Sequence, residues 1–250
     1  MDYPHIPLDH HCSVLRFETP GIWALEKATG VLTHPNKESK KSTKQRTLLN
    51  ADYIHEDECY HWTNSKGEIQ QLFLIHRLDS PTSGIILAAS SQELADAIKS
   101  SFSRKEVKKT YFALINAKSR IKEGLWKDHL KEKREGGKIR VHRGNGPSAL
   151  TNVSMERKKS GLYGLSMLRL EPVTGRTHQL RVQCALRRLC IVGDKNYGDF
   201  TFNRKIARAS KIDRLCLHAA EISVKFTYKN QNFDFWADSP LPRSMGKLLT

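Results

Sequence analysis

Two short apolar runs set close together around a polar, turn-rich segment constrain this chain more than any other feature. Leu72-Phe73-Leu74-Ile75 leads into His76-Arg77-Leu78-Asp79-Ser80-Pro81-Thr82-Ser83-Gly84, and Ile85-Ile86-Leu87 leads out. Apolar runs of this length, bounded by turn signals, read as buried strands. Pro81 stiffens the turn, and Gly84 lets the backbone pass close to a neighbour. Together they form a rigid mount for one carboxylate, Asp79. Arg77 beside it is expected to keep Asp79 ionised, able to act as nucleophile or base. In isolation, an Arg-Leu-Asp is more often a structural ion pair or turn cap. The protein-kinase catalytic loop also opens with His-Arg. This chain, however, has no Gly-rich loop before a Val-Ala-x-Lys strand and no Asp-Phe-Gly, which excludes that class.

At 250 residues the chain can bury a substantial core, as one large domain or two closely joined halves. Its 42 Lys+Arg against 26 Asp+Glu give a formal charge of +16, which points to a polyanionic partner. The cations fall in several clusters rather than on one amphipathic helix, favouring nucleic acid over anionic membrane. No apolar run approaches a membrane span, and Met1-Asp2-Tyr3-Pro4-His5 lacks the order of a signal peptide, so a cytoplasmic protein is expected. Cys12, Cys59, Cys184, Cys190 and Cys216 are odd in number and scattered, as reduced thiols would be. Neither His10-His11-Cys12 nor the trio His55, Cys59 and His61 has the spacing of a zinc site, so no metal is expected.

In order, Gly21–Lys27 reads as a strand and residues 31–35 continue extended. The loop over 37–46 is basic and Ser/Thr-rich, equally a solvated surface or a phosphate clamp. Ser90 with Glu93 has capping-box spacing, and Leu94, Ala97, Ile98 and Phe102 recur at helical spacing after it. Thr110–Ile115 reads as a strand in which Tyr111 is a half-buried aromatic. Residues 118–147 turn basic and Gly-rich, and their second half suits a hairpin laid along a phosphate backbone. Strands over 149–155 and 162–171 follow, then a Gly turn with Thr177 as candidate helix cap. Arg176, His178 and Arg181 cluster on that turn, either as surface cations or as an anion site. Residues 221–228 and 232–236 alternate around Lys229-Asn230-Gln231 as a closing hairpin.

The string His-Arg-Leu-Asp-x-x-Thr-Ser-Gly-x-x-Leu-x-Ala, here residues 76–89, resembles the signature of the RluA-type pseudouridine synthases at every fixed position. Lys109-Thr110-Tyr111-Phe112-Ala113 resembles that family's Lys-x-Tyr-x-Ala motif, and Thr174–Val182 its Thr-Gly-Arg-Thr-His-Gln-Leu-Arg-Val motif. Leu217-His218-Ala219 matches its late Leu-His-Ala strand. The first motif is looser: Lys27, Gly30, His34 and Pro35 are in register, but Glu26 replaces Asn and Ala28 replaces Pro. After the third motif Gln183 replaces His, residues 185–188 are more basic than usual, and Cys190 replaces Pro; the pattern resumes at Gly193-Asp194 and Tyr197-Gly198.

The resemblance implies an α+β pseudouridine synthase fold: a mixed, largely antiparallel sheet in two halves, with flanking helices and a central cleft where Asp79 and Arg181 meet. Residues 1–20 would be an N-terminal extension and 21–250 the catalytic domain, with a basic insertion at about 118–147 and no room for a separate N-terminal RNA-binding domain. The implied reaction isomerises uridine in ribosomal or transfer RNA after flipping the base from its helix. Asp79 is the implied catalytic group and Arg181 its ion-pair partner. By the same resemblance Tyr111 would stack on the uracil and is the leading candidate to remove the carbon-5 proton, although a phenol with its usual pKa of about 10 is a poor base. Arg77, His76, Lys27, His34, Lys109, Arg176, His178 and Gln179 are the implied RNA contacts. No cofactor is implied, and a monomer is expected. The rivals are a non-catalytic RNA-binding or chaperone protein on the same fold, and a hydrolase, which would need a second carboxylate or a metal.

Overall fold

The apolar runs become strands because each can bury its side chains on a shared sheet. The computed structural model describes residues 4–36, 45–117, 119–135 and 138–250. Most of the basic loop read at 37–46, namely 37–44, lies outside the described residues. The chain divides into two compact units, Met1–Val107 with Glu221–Ser239, and Lys108–Ala220 with Pro240–Thr250. Both are dominated by antiparallel strands, an α+β fold.

The first unit begins with β1 (Ser13–Glu18), β2 (Ile22–Lys27), β3 (Asp52–Ile54), β4 (Cys59–Thr63), β5 (Ile69–Leu74) and β6 (Ser83–Ala89). Helix α1 (Gln92–Ser103) follows. Residues 13–18, read from the sequence as part of an extension, are a strand paired along β2. The sheet runs β3, β4, β5, β6, with β2 also bonded to β6. All seven residues of β6 are buried, which is why Ile85-Ile86-Leu87-Ala88-Ala89 carries no charge. Ser91 caps α1 by accepting from the Leu94 amide, one residue later than the Ser90 spacing suggested. Its Leu94, Ala95 and Ile98 pack on Ile22, Ile85 and Leu87.

The second unit holds β7 (Lys108–Ala117), β8 (Gly124–Glu135), β9 (Lys138–Ser160), β10 (Leu165–Pro172), α2 (Gln179–Leu186), β11 (Leu189–Ile191) and α3 (Phe200–Ser210). After it, β12 (Leu217–Tyr228) passes at Ala220 into the first unit, where β13 (Gln231–Asp238) pairs with it. Their two-residue turn, Lys229-Asn230, takes positive φ at both positions, which suits Asn. A short α4 (Arg243–Gly246) completes the second unit.

The segment read as a basic insertion, about 118–147, spans β8 and the start of β9, which pair as a long arm. The segment read as a separate strand at 149–155 is part of β9, which runs 23 residues. A register shift at His129/Leu130 bends the arm. Gly146 lies at that shift, and any side chain there would bring a Cβ within 1.7 Å of the Leu130 carbonyl oxygen, so only glycine fits.

Candidate active site

In the first unit, Asp79 lies half-buried in the loop between β5 and β6, and its carbonyl accepts the Thr82 amide at 2.9 Å. The turn is clasped by the loop after β2. Thr33 Oγ1 donates to the Leu78 carbonyl at 2.9 Å and accepts the Leu78 amide at 3.2 Å. Thr29 Oγ1 donates to the Pro81 carbonyl at 2.8 Å, and the Gly30 amide to the Ser80 carbonyl at 2.8 Å. Lys27, expected to contact RNA, is instead wholly buried. Its ammonium donates to the carbonyls of Ala28 (3.0 Å), Val31 (2.7 Å) and Ser80 (3.0 Å). A buried ammonium needs such partners, and the carbonyls need it. Lys27 therefore acts by fixing the backbone next to Asp79. Gly84, where β6 begins, has φ 111°, a conformation that side chains rarely adopt.

His76 accepts the Leu87 amide at Nε2 (3.1 Å), which ties this loop to β6. Arg77 is exposed, and its guanidinium donates to Nε2 of His34 at 3.0 Å. Nδ1 of His34 donates to the Pro35 carbonyl at 2.9 Å, so this ring is neutral. Burial pushes the His34 pKa down, and the charges of Arg77 and His55 push it further. Tyr53 stacks on His34, with ring centroids 5.2 Å apart.

In the second unit, Tyr111 sits half-buried on β7 opposite Leu170 of β10. Lys109, two residues before it on the same strand, is lowered in pKa by burial, and its ammonium adjoins Gly175 in the third motif. Helix α2 is capped by His178 in a left-handed conformation (φ 52°), not by Thr177. Gln179, expected to contact RNA, is buried. It accepts from the Thr174 hydroxyl (2.7 Å) and the Arg176 amide (3.1 Å), and donates to the Leu150 carbonyl (3.0 Å) and Thr151 Oγ1 (2.9 Å). It fastens the turn to β9. Arg176 is exposed, with Nε 3.3 Å from the Ser148 carbonyl.

Arg181 is buried and grips Asp194 with a two-pronged ion pair, both contacts 2.9 Å. The Asp194 carboxylate also accepts the amides of Asn196 (2.9 Å) and Tyr197 (3.0 Å). Burial alone would raise the Asp194 pKa, but the Arg181 bonds hold it below the usual carboxylate range. The Arg181 guanidinium lies over the Tyr197 ring, 5.2 Å from its centroid. Asp194 and Tyr197 were visible in the sequence as a resumed pattern, but nothing there gave them a task.

The departures on α2 also find a use. Gln183 is fully buried and donates to Asp128 of β8 (2.9 Å) and the Ala149 carbonyl (3.2 Å), while accepting from Thr151 (2.7 Å). Arg187 reaches the same Asp128 carboxylate at 2.9 Å. Both residues dock the β8–β9 arm on α2. Elsewhere, Asp9, His10 and His11 bring potential metal ligands within 4.8 Å of one another, but Asp9 is already ion-paired to Arg46 at 2.9 Å.

A family model described as RNA pseudouridylate synthase matches residues 21–186, and the chain belongs to that family of RNA-modifying isomerases. Among curated relatives it is 29% identical over 220 residues to tRNA pseudouridine synthase C of Vibrio cholerae, covering 83% of each chain. It is 31% identical over 196 residues to Ribosomal large subunit pseudouridine synthase C of Escherichia coli, covering 74% of this chain and 57% of that one. The chain thus spans little more than half of the latter. Two solved structures, Human RNA Pseudouridylate Synthase Domain Containing 1 and Domain Containing 4, share the fold. Their TM-scores are 0.62 and 0.63, with 20% and 21% identity, over 98% and 94% of this chain and 89% and 91% of theirs. The reading as a non-catalytic RNA-binding protein is not favoured.

Proposed function

We propose that Asp79, Tyr111 and Arg181 together convert uridine to pseudouridine in transfer or ribosomal RNA. The observation that carries this reading is the mount of Asp79: one carboxylate, in a segment matching the signature end to end, on a loop held by Lys27, Thr29 and Thr33. Such a clasp fixes a reactive group to within the tolerance that catalysis demands.

The reaction breaks the bond from N1 of uracil to C1′ of ribose and forms one from C5 to C1′. A proton leaves C5 and one is gained at N1. Nothing is oxidised or reduced, so the chain's own side chains suffice. Asp79 acts at the ribose, by attack on C1′ or removal of the 2′ proton. Deuterium at C2′ separates these, because only proton removal gives a large primary isotope effect. Arg181, steadied by Asp194, takes the role that the family resemblance gives it, as partner of the catalytic carboxylate. Tyr111 takes the C5 proton at the end, with the Lys109 cation two residues away to favour its phenolate.

The exposed side of the β8–β9 arm supports the RNA assignment. Lys133 is paired directly across from Arg140, with Lys131 two residues along the same strand face. Like charges opposed on a ladder destabilise it. A phosphate backbone laid along them would offset that cost.

The experiment is tritium release from uridine labelled at C5, in separate transfer and ribosomal RNA fractions. Release by the wild type and none by Asp79→Asn is the expected result. Activity of Asp79→Asn above a few percent would remove Asp79 from the chemistry. The fraction that releases tritium identifies the RNA.

A further inference from the structure

Tyr197 is the point at which the β8–β9 arm meets Arg181. Its hydroxyl oxygen accepts the amide of Val141, on the distal part of β9, at 2.8 Å. The same oxygen is 2.8 Å from Nδ1 of His178, the cap of α2. The Val141 amide donates to this oxygen, and the hydroxyl and His178 Nδ1 share a second hydrogen bond. The face of the Tyr197 ring underlies the Arg181 guanidinium, and its amide holds the Asp194 carboxylate that grips Arg181. Around these contacts Leu130 and Val141 of the arm pack against Val182 of α2. Val141 directly follows Arg140, one of the exposed cations on the arm's outer side.

We propose that Tyr197 is a positioning residue that couples the arm to Arg181: RNA seated on the outer cations fixes the Val141 backbone, and Tyr197 passes that constraint to the guanidinium. The arm would then raise the rate of the chemical step as well as hold substrate. This inference rests on the reading of Arg181 as the partner of Asp79.

The test is a double-mutant cycle read as single-turnover rate at saturating RNA, alongside Kd from filter binding. Lys133→Gln with Arg140→Gln should weaken binding and also slow the saturated rate, by about threefold or more. Tyr197→Phe keeps the ring but loses the hydroxyl; it should slow the saturated rate about tenfold with Kd nearly unchanged. In the Tyr197→Phe background the arm substitutions should still weaken binding, yet slow the rate no further. His178→Gln breaks the same relay from its other end and should repeat that result if Tyr197→Phe folds poorly. Rate effects that multiply in both backgrounds would overturn the coupling. Arg181→Lys distinguishes this from failure of the underlying reading: it keeps the charge but loses the fork. A normal rate for Arg181→Lys would dismiss Arg181 from catalysis, whereas a slow rate with multiplying arm effects would dismiss only the role of Tyr197.

Discussion

At the scale of single residues, the chain spends buried polar groups on holding loops still. Lys27 shows this most sharply: a cation with no carboxylate among its three described acceptors, in a place where the sequence suggested RNA contact. Replacing it by Met would strand three carbonyls and cost about 3 kcal/mol. Because one of them belongs to Ser80, beside Asp79, tritium release should fall more than stability does; chemical unfolding with an activity assay on the folded fraction would compare the two. His34 gives a pH dependence. Its pKa is held below the ordinary value, so between that lowered value and about 6.5 the unfolded chain binds the extra proton. The stabilising contribution is full above that window and is lost as the pH falls through it. The melting temperature of the wild type should therefore drop more between neutral and mildly acidic pH than that of His34→Gln. An equal drop would mean that His34 binds its proton equally well in the folded and unfolded chain.

At the scale of elements, strands and turns were the most legible parts of the sequence. The runs flanking Asp79 became β5 and β6, and the closing pair became β12 and β13, because alternation and turn chemistry are local signals. The helix caps each moved by one residue, to Ser91 and His178, since the choice among adjacent polar residues depends on the packing of the whole turn. Gln183 was illegible for another reason. A glutamine on an amphipathic pattern reads as surface, and only the long β8–β9 arm, folded over α2, gives it partners. Gln183→Leu should cost about 1–3 kcal/mol by leaving Asp128 and Thr151 short of a bond, measurable by urea unfolding. Gln for Lys131, Lys133 and Arg140 should lower the steepness with which RNA affinity depends on salt.

At the scale of the whole molecule, the +16 formal charge and three motifs in the right order made reaction class and fold readable before any coordinates. Positions matching a motif could be named, but their division of labour could not. Asp79 is mounted on a clasped loop, Lys27 and Gln179 are struts, Arg77 bonds to His34, and Arg181 is itself held by Asp194. Such distinctions depend on burial and hydrogen bonding between distant segments, which spacing does not encode. RNA affinity should fall steeply with added salt, as phosphate contacts release counterions. A flat dependence, measured by filter binding over a salt series, would count against the cationic arm as the RNA surface.

The route of the chain has a consequence for how the protein is made. The first compact unit is discontinuous: its core requires Ile222, Val224, Phe226 and Phe235 as well as residues before Val107. During translation the early strands therefore wait for more than a hundred intervening residues, while the second unit emerges and is nearly finished. Nascent chains stalled before Glu221 should expose the apolar faces of β2 and β6 to chaperones and proteases, and those stalled well beyond Ser239 should not. Maturation is thus set by the last strands to leave the ribosome, although the residues that mount Asp79 are among the first.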